Sequence, residues 1–600
     1  MSARIEDYAM LGDCRSAALV ARDGSIDWLC LPRFDSDALF AALLGTRDHG
    51  RWLLAPAAAT RSRRRYRDGS LILETHHETD TGVVEVIDFM VASHNGHDHS
   101  HLVRRVRGLR GRVRMRSELV VRFGYGRRVP WVTRIDGGIC AVAGPDQIVV
   151  RTPVALHGHD LNTEAAFEVA EGETVSFVLS HGASHLELPP AIDAEDAFAR
   201  TERFWMEWSG RCTRAGRWSE LVRRSLVVLK GLSYLPTGAI VAAPTASLPE
   251  RIGGNRNWDY RYCWLRDSTF VLVALINAGY RDEAIAFRDW LKRAVAGTPG
   301  QLQALYGVAG ERRLAEWDAH WLPGYENSRP VNIGNAAAEQ FQLDVYGELI
   351  ATLELAERKG MAPARHGYDL ERAFLRELEK RWREPDEGIW EVRGGRRHFT
   401  HSKVLSWLAF DRASRNPAAA FANAERARWA TLAREVHADI LANAVHADGH
   451  FVQSYGSDRL DAALLVIPLV GFLPPDDPRV VNTVAAIEQR LTVDGMVERY
   501  RADTHARDGL PPGEGTFLAC SFWLVECLVM MDRLEDAEAL FERLAGLCND
   551  VGLLAEEYDP RGRRMLGNFP QGYSHVALVN AAYRLEHARA QRASSKEVHG

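Results

Sequence analysis

Near residue 195 the chain changes its period, and that change limits its fold more than any other feature. Before it, short alternating runs such as GSLILETHHETDTGVVEVIDFMV, RVRMRSELVVRF and GETVSFVLSHG are separated by glycine and aspartate turns. Alternation by two sends successive side chains to opposite faces of a strand. The number of such runs predicts a sandwich of antiparallel sheets over 1–195. The stretch AIDAEDAFARTERFWMEWSG then takes helical spacing and reads as a linker over 196–215. Over 216–595 the pattern is almost wholly helical. Amphipathic stretches recur at 217–235, 268–279, 282–294, 335–359, 369–383, 401–413, 421–444, 459–470, 477–490, 516–531, 534–547 and 573–590. Helices paired as hairpins in that number can close into an α/α barrel with alternate loops walling a pocket at one end. An open superhelical array would need a fixed-period repeat, and the sequence has none. The long loops 250–266, 297–333 and 494–515 are where function is expected.

Composition removes several classes of function. The 600 residues exceed one ordinary core, and 46% apolar with 26% charged residues is a soluble globular balance. The net charge is −6, and Arg-rich RSRRRYR (61–67) is interspersed with acids. A solvated strand face accounts for it better than a nucleic-acid partner does. The eight cysteines are scattered without a C-x-x-C pair, as free core thiols in a reducing compartment would be. MSARIEDYAMLGDC has no basic-then-apolar signal pattern, and the longest apolar run, LDAALLVIPLVGFLPP, is too short to span a bilayer. The expectation is a cytoplasmic protein with no membrane partner; a homo-oligomer stays open. SHNGHDHSH carries His94, His97, His99 and His101, and short His tracts can bind metal. It lies far in sequence from the acidic motifs below, so no metal and no cofactor is expected.

Three stretches carry candidate chemistry. In DEGIWEVRGGRRHFTHSK (386–403), Glu391 directly follows Trp390. An indole beside a carboxylate shields it from water and raises its pKa, which suits a general acid, although a surface glutamate at a turn would look the same. In VGLLAEEYDPRGRRMLGNFPQGYSH (551–575), Glu556 and Glu557 precede Tyr558 and Asp559 on a loop between helices. A carboxylate pair is what glycoside hydrolysis needs, yet a capping cluster fits the spacing equally well. NWDYRYCWLRDSTF (257–270) concentrates Trp258, Asp259, Tyr260, Arg261, Tyr262, Trp264, Arg266 and Asp267. Aromatic faces with Arg–Asp pairs suit a sugar, and a buried Arg–Asp pair under an aromatic cap suits a helix start.

At these places the sequence resembles glycoside hydrolase family 15, the glucoamylase and trehalase-like family. YRYCWLRDSTFVL is similar to that family's W-x-R-D segment, GIWEVRGGRRHFTHSK to its general-acid segment, and LLAEEYDP to its base motif. YAMLGDCRSAALVARDGSIDWLCLPRFDS resembles the start of the β-sandwich domain of bacterial trehalase-like members, while SRPVNIGNAAAEQFQLDVYGEL and LPPGEGTFLACSFWLVECL resemble barrel segments. The resemblance implies a β-sandwich joined to an (α/α)6 barrel of six-hairpin type, acting by inversion. It implies Glu391 as general acid and Glu556 as general base, with Glu557 standing where the family often has glutamine. It also implies Arg266 and Asp267 as sugar ligands. Trp264, Tyr262, Trp390, Arg329 in RPVNIGN, Glu557 and Tyr558 complete the candidate substrate contacts.

Inversion requires room for a water, hence carboxyl groups roughly 6.5–9.5 Å apart. It also requires split protonation, Glu391 raised by burial and Trp390, Glu556 held charged by donors such as Tyr558. The resemblance implies α-linked glucose at a non-reducing end. Without a signal pattern or starch-binding module a small α-glucoside is expected, α,α-trehalose first, then isomaltose or short malto-oligosaccharides. A non-catalytic carbohydrate-binding protein would not need a matched acid and base, and a phosphorylase would not need the base.

Overall fold

The computed structural model describes residues 2–599 apart from 93–98, 214–215, 298, 362–364, 418–420 and 502–507. His94 and His97 lie outside the described residues. His99 and His101 are engaged with the His181 carbonyl and the Ser180 hydroxyl.

The N-terminal region is a set of antiparallel strands organised by one long strand, His101–Val120. Its first half pairs with Gly82–Met90 and Thr174–Ala183; its second half pairs with Arg51–Pro56 and Asn162–Ala170. The exchange of partners falls at Gly108 and Gly111. Gly111 has φ +66°, and a Cβ there would meet the Thr81 carbonyl oxygen at 2.3 Å, so only glycine fits. In the second half Val113, Met115 and Leu119 are buried while Arg112, Arg114 and Arg116 are exposed, the two-residue period read from the sequence. The Arg-rich strand Arg61–Tyr66 is largely exposed, and Arg64 and Arg65 pair with Asp550 and Glu74.

Helix α1 (Ala194–Ser209) follows, capped by Asp193, whose carboxylate accepts from the Glu195 and Asp196 amides. Then come α2 (Ser219–Gly231), α3 (Leu265–Ala278), α4 (Asp282–Ala294), α5 (Asp344–Arg358), α6 (Arg365–Arg381), α7 (Thr400–Arg415), α8 (Asn423–Asn443), α9 (Val466–Leu469), α10 (Pro478–Arg490), α11 (Leu518–Met530), α12 (Leu534–Ala545) and α13 (Gly572–His599). Packing separates them into two sets. Helices α3, α5, α7, α9, α11 and α13 each touch the next, and α13 returns to α3, which closes a ring. Outside it α2 packs on α13, α4 on α3, α6 on α5 and α7, α8 on α7, and α12 on α11 and α13. Sequence explains the division. LACSFWLVECLVM in α11 is buried from Leu518 to Val529, as an all-round apolar helix must be, whereas α12 buries Leu534, Ala537, Phe541 and Leu544 along one stripe.

The expected helix 459–470 is instead a 3-10 turn, Ala462–Leu465, running into one turn of α9. Asp461 holds the preceding chain extended: its carboxylate accepts from the Ala463 amide, the Gln453 amide group and the Trp390 indole. Gly471 (φ +78°) and the prolines beyond it end the helix.

The two regions interlock. Trp28 Nε1 donates to the Pro244 carbonyl at 2.8 Å, and Arg261 donates to the Ser36 carbonyl and the Tyr125 hydroxyl while pairing with Asp259. Cys212 and Cys548 are half-buried and the other cysteines buried, all as free thiols. Among the described residues no helix is long and apolar enough to cross a membrane.

Candidate active site

The ring helices α3, α5, α7, α11 and α13 start at one end, and the segments leading into them wall a cleft of about 730 Å³, its open mouth included. Glu391 enters it from a turn closed by a bridge between Asp386 and Arg397. The turn needs left-handed backbone at Gly388 (φ +68°) and again at Glu391 itself (φ +58°). For a non-glycine residue that conformation costs about 1–2 kcal/mol, and such strain gathers at functional sites. The strained backbone aims Glu391 Oε1 at Trp264 Nε1, 2.6 Å away, with Arg266 Nη1 at 3.5 Å. Arg266 is fixed in turn by the Ile389 carbonyl (2.6 Å) and by Asp267 (3.1 Å). Burial pushes the Glu391 carboxyl above the usual carboxylate range, against the opposing pull of Arg266 and the Trp264 hydrogen bond. The indole that holds Glu391 is therefore that of Trp264. Trp390 lines the cleft but donates to Asp461 at 2.8 Å and packs on Phe517 and Trp523.

Glu556 comes from the opposite kind of support. It precedes the strand Glu557–Asp559, paired between Thr516–Phe517 and Arg564–Leu566. Strand alternation turns adjacent side chains apart, and the two glutamates separate accordingly. Glu556 lines the cleft; Glu557 is fully buried on the far side, accepting from the Gly515 amide at 2.7 Å with Arg499 at 3.6 Å. Glu556 Oε2 accepts from the Asn568 amide at 3.3 Å, and Oε1 is buried with no protein partner. At Gly567 (φ +71°) a Cβ would lie 2.4 Å from Glu556 Oε2.

The expected split in protonation is not what the protein atoms produce. Burial and the neighbouring Glu250 push Glu556 up to about 8, and Arg499, the Tyr260 hydroxyl and the Asn568 amide only partly oppose them. The anticipated donor, Tyr558, does not line the cleft; Tyr260 does, and it faces Glu556. Tyr260 and Trp264 meet edge to face, with ring centroids 5.2 Å apart. The two carboxylates thus sit at the two ends of one aromatic pair.

Beyond them the cleft wall is ionic. Arg499 bonds Glu250 (2.9 Å) and Glu514 (2.7 Å), and Arg256 bonds Glu514 (2.9 Å) and Asp508 (2.7 Å). Arg393 lies 4.3 Å over the Trp258 ring and pairs with Glu316. Glu250, Glu514 and Glu557 bring oxygens within 4.8 Å of one another, but the Arg499 and Arg256 guanidinium groups already compensate their charge.

Trp264, Arg266, Asp267, Trp390, Glu391 and Glu556 are thus brought together. Tyr262 is not: it packs with Ala304 and Leu305 behind the wall. Arg329 is exposed, with Nε on the Pro323 carbonyl, and neither it nor Glu557 nor Tyr558 lines the cleft. Sequence reasoning named Tyr260 in the aromatic loop without giving it a role, and missed Glu250, Arg256, Arg499 and Tyr573 as cleft residues. All but Tyr573 fall in or beside the long loops 250–266 and 494–515, a signal of place rather than of role.

A family model for "Glycosyl hydrolases family 15" matches residues 216–583, and one for "Trehalase-like, N-terminal" matches 1–205. The chain is 38% identical over 623 residues to a trehalase of Mycolicibacterium smegmatis (98% of this chain, 92% of that one). It is 39% identical over 623 residues to a trehalase of Mycobacterium tuberculosis (98% and 91%). In fold it is similar to a bacterial glucoamylase solved with acarbose, TM-score 0.71 at 13% identity, over 98% of this chain and 94% of that one.

Proposed function

The chain belongs to glycosyl hydrolases family 15, and we propose that it hydrolyses α,α-trehalose by one inverting displacement, with Glu391 as general acid and Glu556 as general base. The observation that carries this reading is that Glu391, held by Trp264 and Arg266, and Glu556, with Tyr260 beside it, line one cleft. Bound with its anomeric carbon between the carboxyls, a terminal glucose would meet Arg266 and Asp267 through its hydroxyls and Trp264 and Tyr573 through its faces. Glu391 delivers its proton to the glycosidic oxygen. Glu556, ionised, takes a proton from water attacking the opposite face, and the C–O bond to the leaving glucose breaks as the new one forms. The second glucose would lie toward Trp258, Arg256 and Arg393.

Trehalose is favoured over other α-glucosides because proteins named trehalase match along almost the whole chain, the N-terminal region included. We read the closed helix ring with its outer helices as an (α/α)6 barrel over 216–595. The paired sheets we read as a β-sandwich over 1–195, and 196–215 as the linker. Free cysteines suit a cytoplasmic location. The test is proton NMR of the first products from trehalose, isomaltose and maltose. Inversion at one anomeric centre of trehalose releases one β-glucose with one α-glucose. Two α-glucose molecules would overturn the mechanism, and faster hydrolysis of maltose or isomaltose would overturn the substrate.

A further inference from the structure

A second cavity opens at the end of the helix ring opposite the cleft, about 1660 Å³ with its open mouth included. Its walls come from the inner faces of α3, α5, α7, α11 and α13, one or two turns deeper than the cleft residues. On α3 the sequence runs Phe270, Val273, Asn277, and on α13 it runs Tyr573, Val576, Asn580. That three-to-four spacing is one helix face seen from the ring axis. The middle of the wall is apolar, with Leu355, Leu405 and Leu408 facing Val273 and Val576. The rim is charged: Arg358 pairs with Glu354 at 2.7 Å, Arg584 with Glu526 at 2.9 Å and Arg412 with Asp411 at 3.7 Å, and His587 also lines it.

The inner end is not paired in this way. Glu348 lines it, 5% exposed, and neither carboxylate oxygen has a protein partner. The Tyr573 hydroxyl, also buried, has none either. Buried polar atoms are nearly always paired, and an orphaned carboxylate is among the costliest exceptions. Burial and the neighbouring Asp344 hold the Glu348 carboxyl well above the ordinary carboxylate range, so these surroundings keep it as the neutral acid, and the groups around it do not supply a counter-charge. Asp267 and Asp344 add acid, and His401 is kept neutral, its pKa lowered to about 3 by burial and Arg266. Arg266 is already shared between Asp267 and Glu391. A cation entering the cavity would therefore meet its counter-charge at Glu348 only as that carboxyl releases its proton to solvent. The interior also presents ring faces, since Tyr573 lies edge to face with Phe270 (5.4 Å) and Trp523 (5.7 Å).

We propose that this second cavity binds an organic ammonium ion with an apolar body, its head group on Glu348 and the Tyr573 hydroxyl and its chain along the Val273–Leu405–Val576 wall. A primary ammonium has three donors, matching the two Glu348 oxygens and the phenol oxygen, and aromatic faces favour a desolvated cation. Glu348 turns its carboxylate toward the cavity to receive it.

The probes are n-hexylammonium chloride and hexan-1-ol, followed by calorimetry on the intact chain. Hexylammonium is expected to bind saturably at one site, and hexanol about ten-fold or more weakly because it cannot replace the charge-assisted bonds. Glu348→Gln should lose about ten-fold in hexylammonium affinity and keep that for hexanol. Ala351→Phe, which fills the cavity while keeping the acid in the chain, should weaken both. Equal affinity for the two probes, or hexylammonium binding unchanged by Glu348→Gln, overturns the proposal. A Glu348→Gln chain that fails to fold leaves Ala351→Phe decisive: hexylammonium binding unaffected by that variant also overturns it. The assay reads binding rather than turnover, so its failure leaves the reading of the cleft untouched.

Discussion

The two carboxylates of the cleft are held by opposite devices. Glu391 stands on a strained turn and meets donors from the start of α3, so local backbone geometry aims it and side-chain hydrogen bonds restrain it. Glu556 stands at the start of a paired strand, and behind it lies a buried network of Glu250, Glu557, Glu514 and Arg499. On the first wall the neighbours are an indole and a guanidinium, which favour the anion and moderate the effect of burial. On the second the first neighbour after burial is another carboxylate, which disfavours the anion. Like charges in one site push titrations apart. The network behind each carboxylate thus works against the charge the proposed displacement needs, less at Glu391, where burial outweighs it, and more at Glu556.

The comparison breaks first at the carboxylates themselves. Glu391→Gln and Glu556→Gln should each lower kcat on trehalose by roughly 10²–10⁴-fold, the usual worth of a positioned acid or base. Steady-state kinetics with glucose detection checks this, and either variant retaining near-native kcat removes that residue from the mechanism. A smaller loss, about 10²-fold in kcat/KM, is expected for Gly567→Ala, because a methyl 2.4 Å from Glu556 Oε2 displaces the carboxylate while leaving its chemistry intact. Gly158→Ala, at a glycine of ordinary backbone with nothing within 4 Å of its Cβ, serves as the control.

The next effect is one of pH rather than rate. Glu556 acts ionised, so its titration sets the acidic limb of kcat/KM. Glu250 raises that titration, and Glu250→Gln removes a negative neighbour while leaving Arg499 less compensated. Both changes ease ionisation, so the acidic limb should move to lower pH, with the alkaline limb, set by Glu391, in place. A profile whose acidic limb stays fixed or moves upward would show that the network does not tune this carboxylate.

Much of this was legible in the chain. The switch from alternating to helical spacing marked the two regions, whereas the inner place of the all-round apolar LACSFWLVECL is evident only from the ring itself. The loop 257–270 was legible only as a whole. Its structural and cleft-lining readings both hold, for different residues: Arg261 and Asp259 tie the helical region to the N-terminal sheets, while Trp258, Tyr260, Trp264, Arg266 and Asp267 face the cleft. Which side each residue took depends on chain 225 positions away, at Ser36, and no local pattern records that. Adjacent glutamates 556 and 557 were ambiguous for the same reason. Their separation follows from strand pairing with Thr516–Phe517, a contact no reading of AEEYD alone supplies.

The smallest and sharpest difference concerns the two tryptophans. Sequence adjacency assigned Trp390 to Glu391, but the hydrogen bond belongs to Trp264. That bond stabilises the ionised carboxylate, so Trp264→Phe should raise the Glu391 titration and carry the alkaline limb of kcat/KM to higher pH, with about a ten-fold fall in kcat from lost positioning. Trp390→Phe removes only the donor to Asp461 and keeps most of the ring packing on Phe517 and Trp523. It should leave the limb where it is and cost less than about three-fold in rate, because the bond lost is to Asp461 and not to a reacting group. A larger shift of the alkaline limb from Trp390→Phe than from Trp264→Phe would mean that the neighbour in sequence, and not the partner in space, sets the acid.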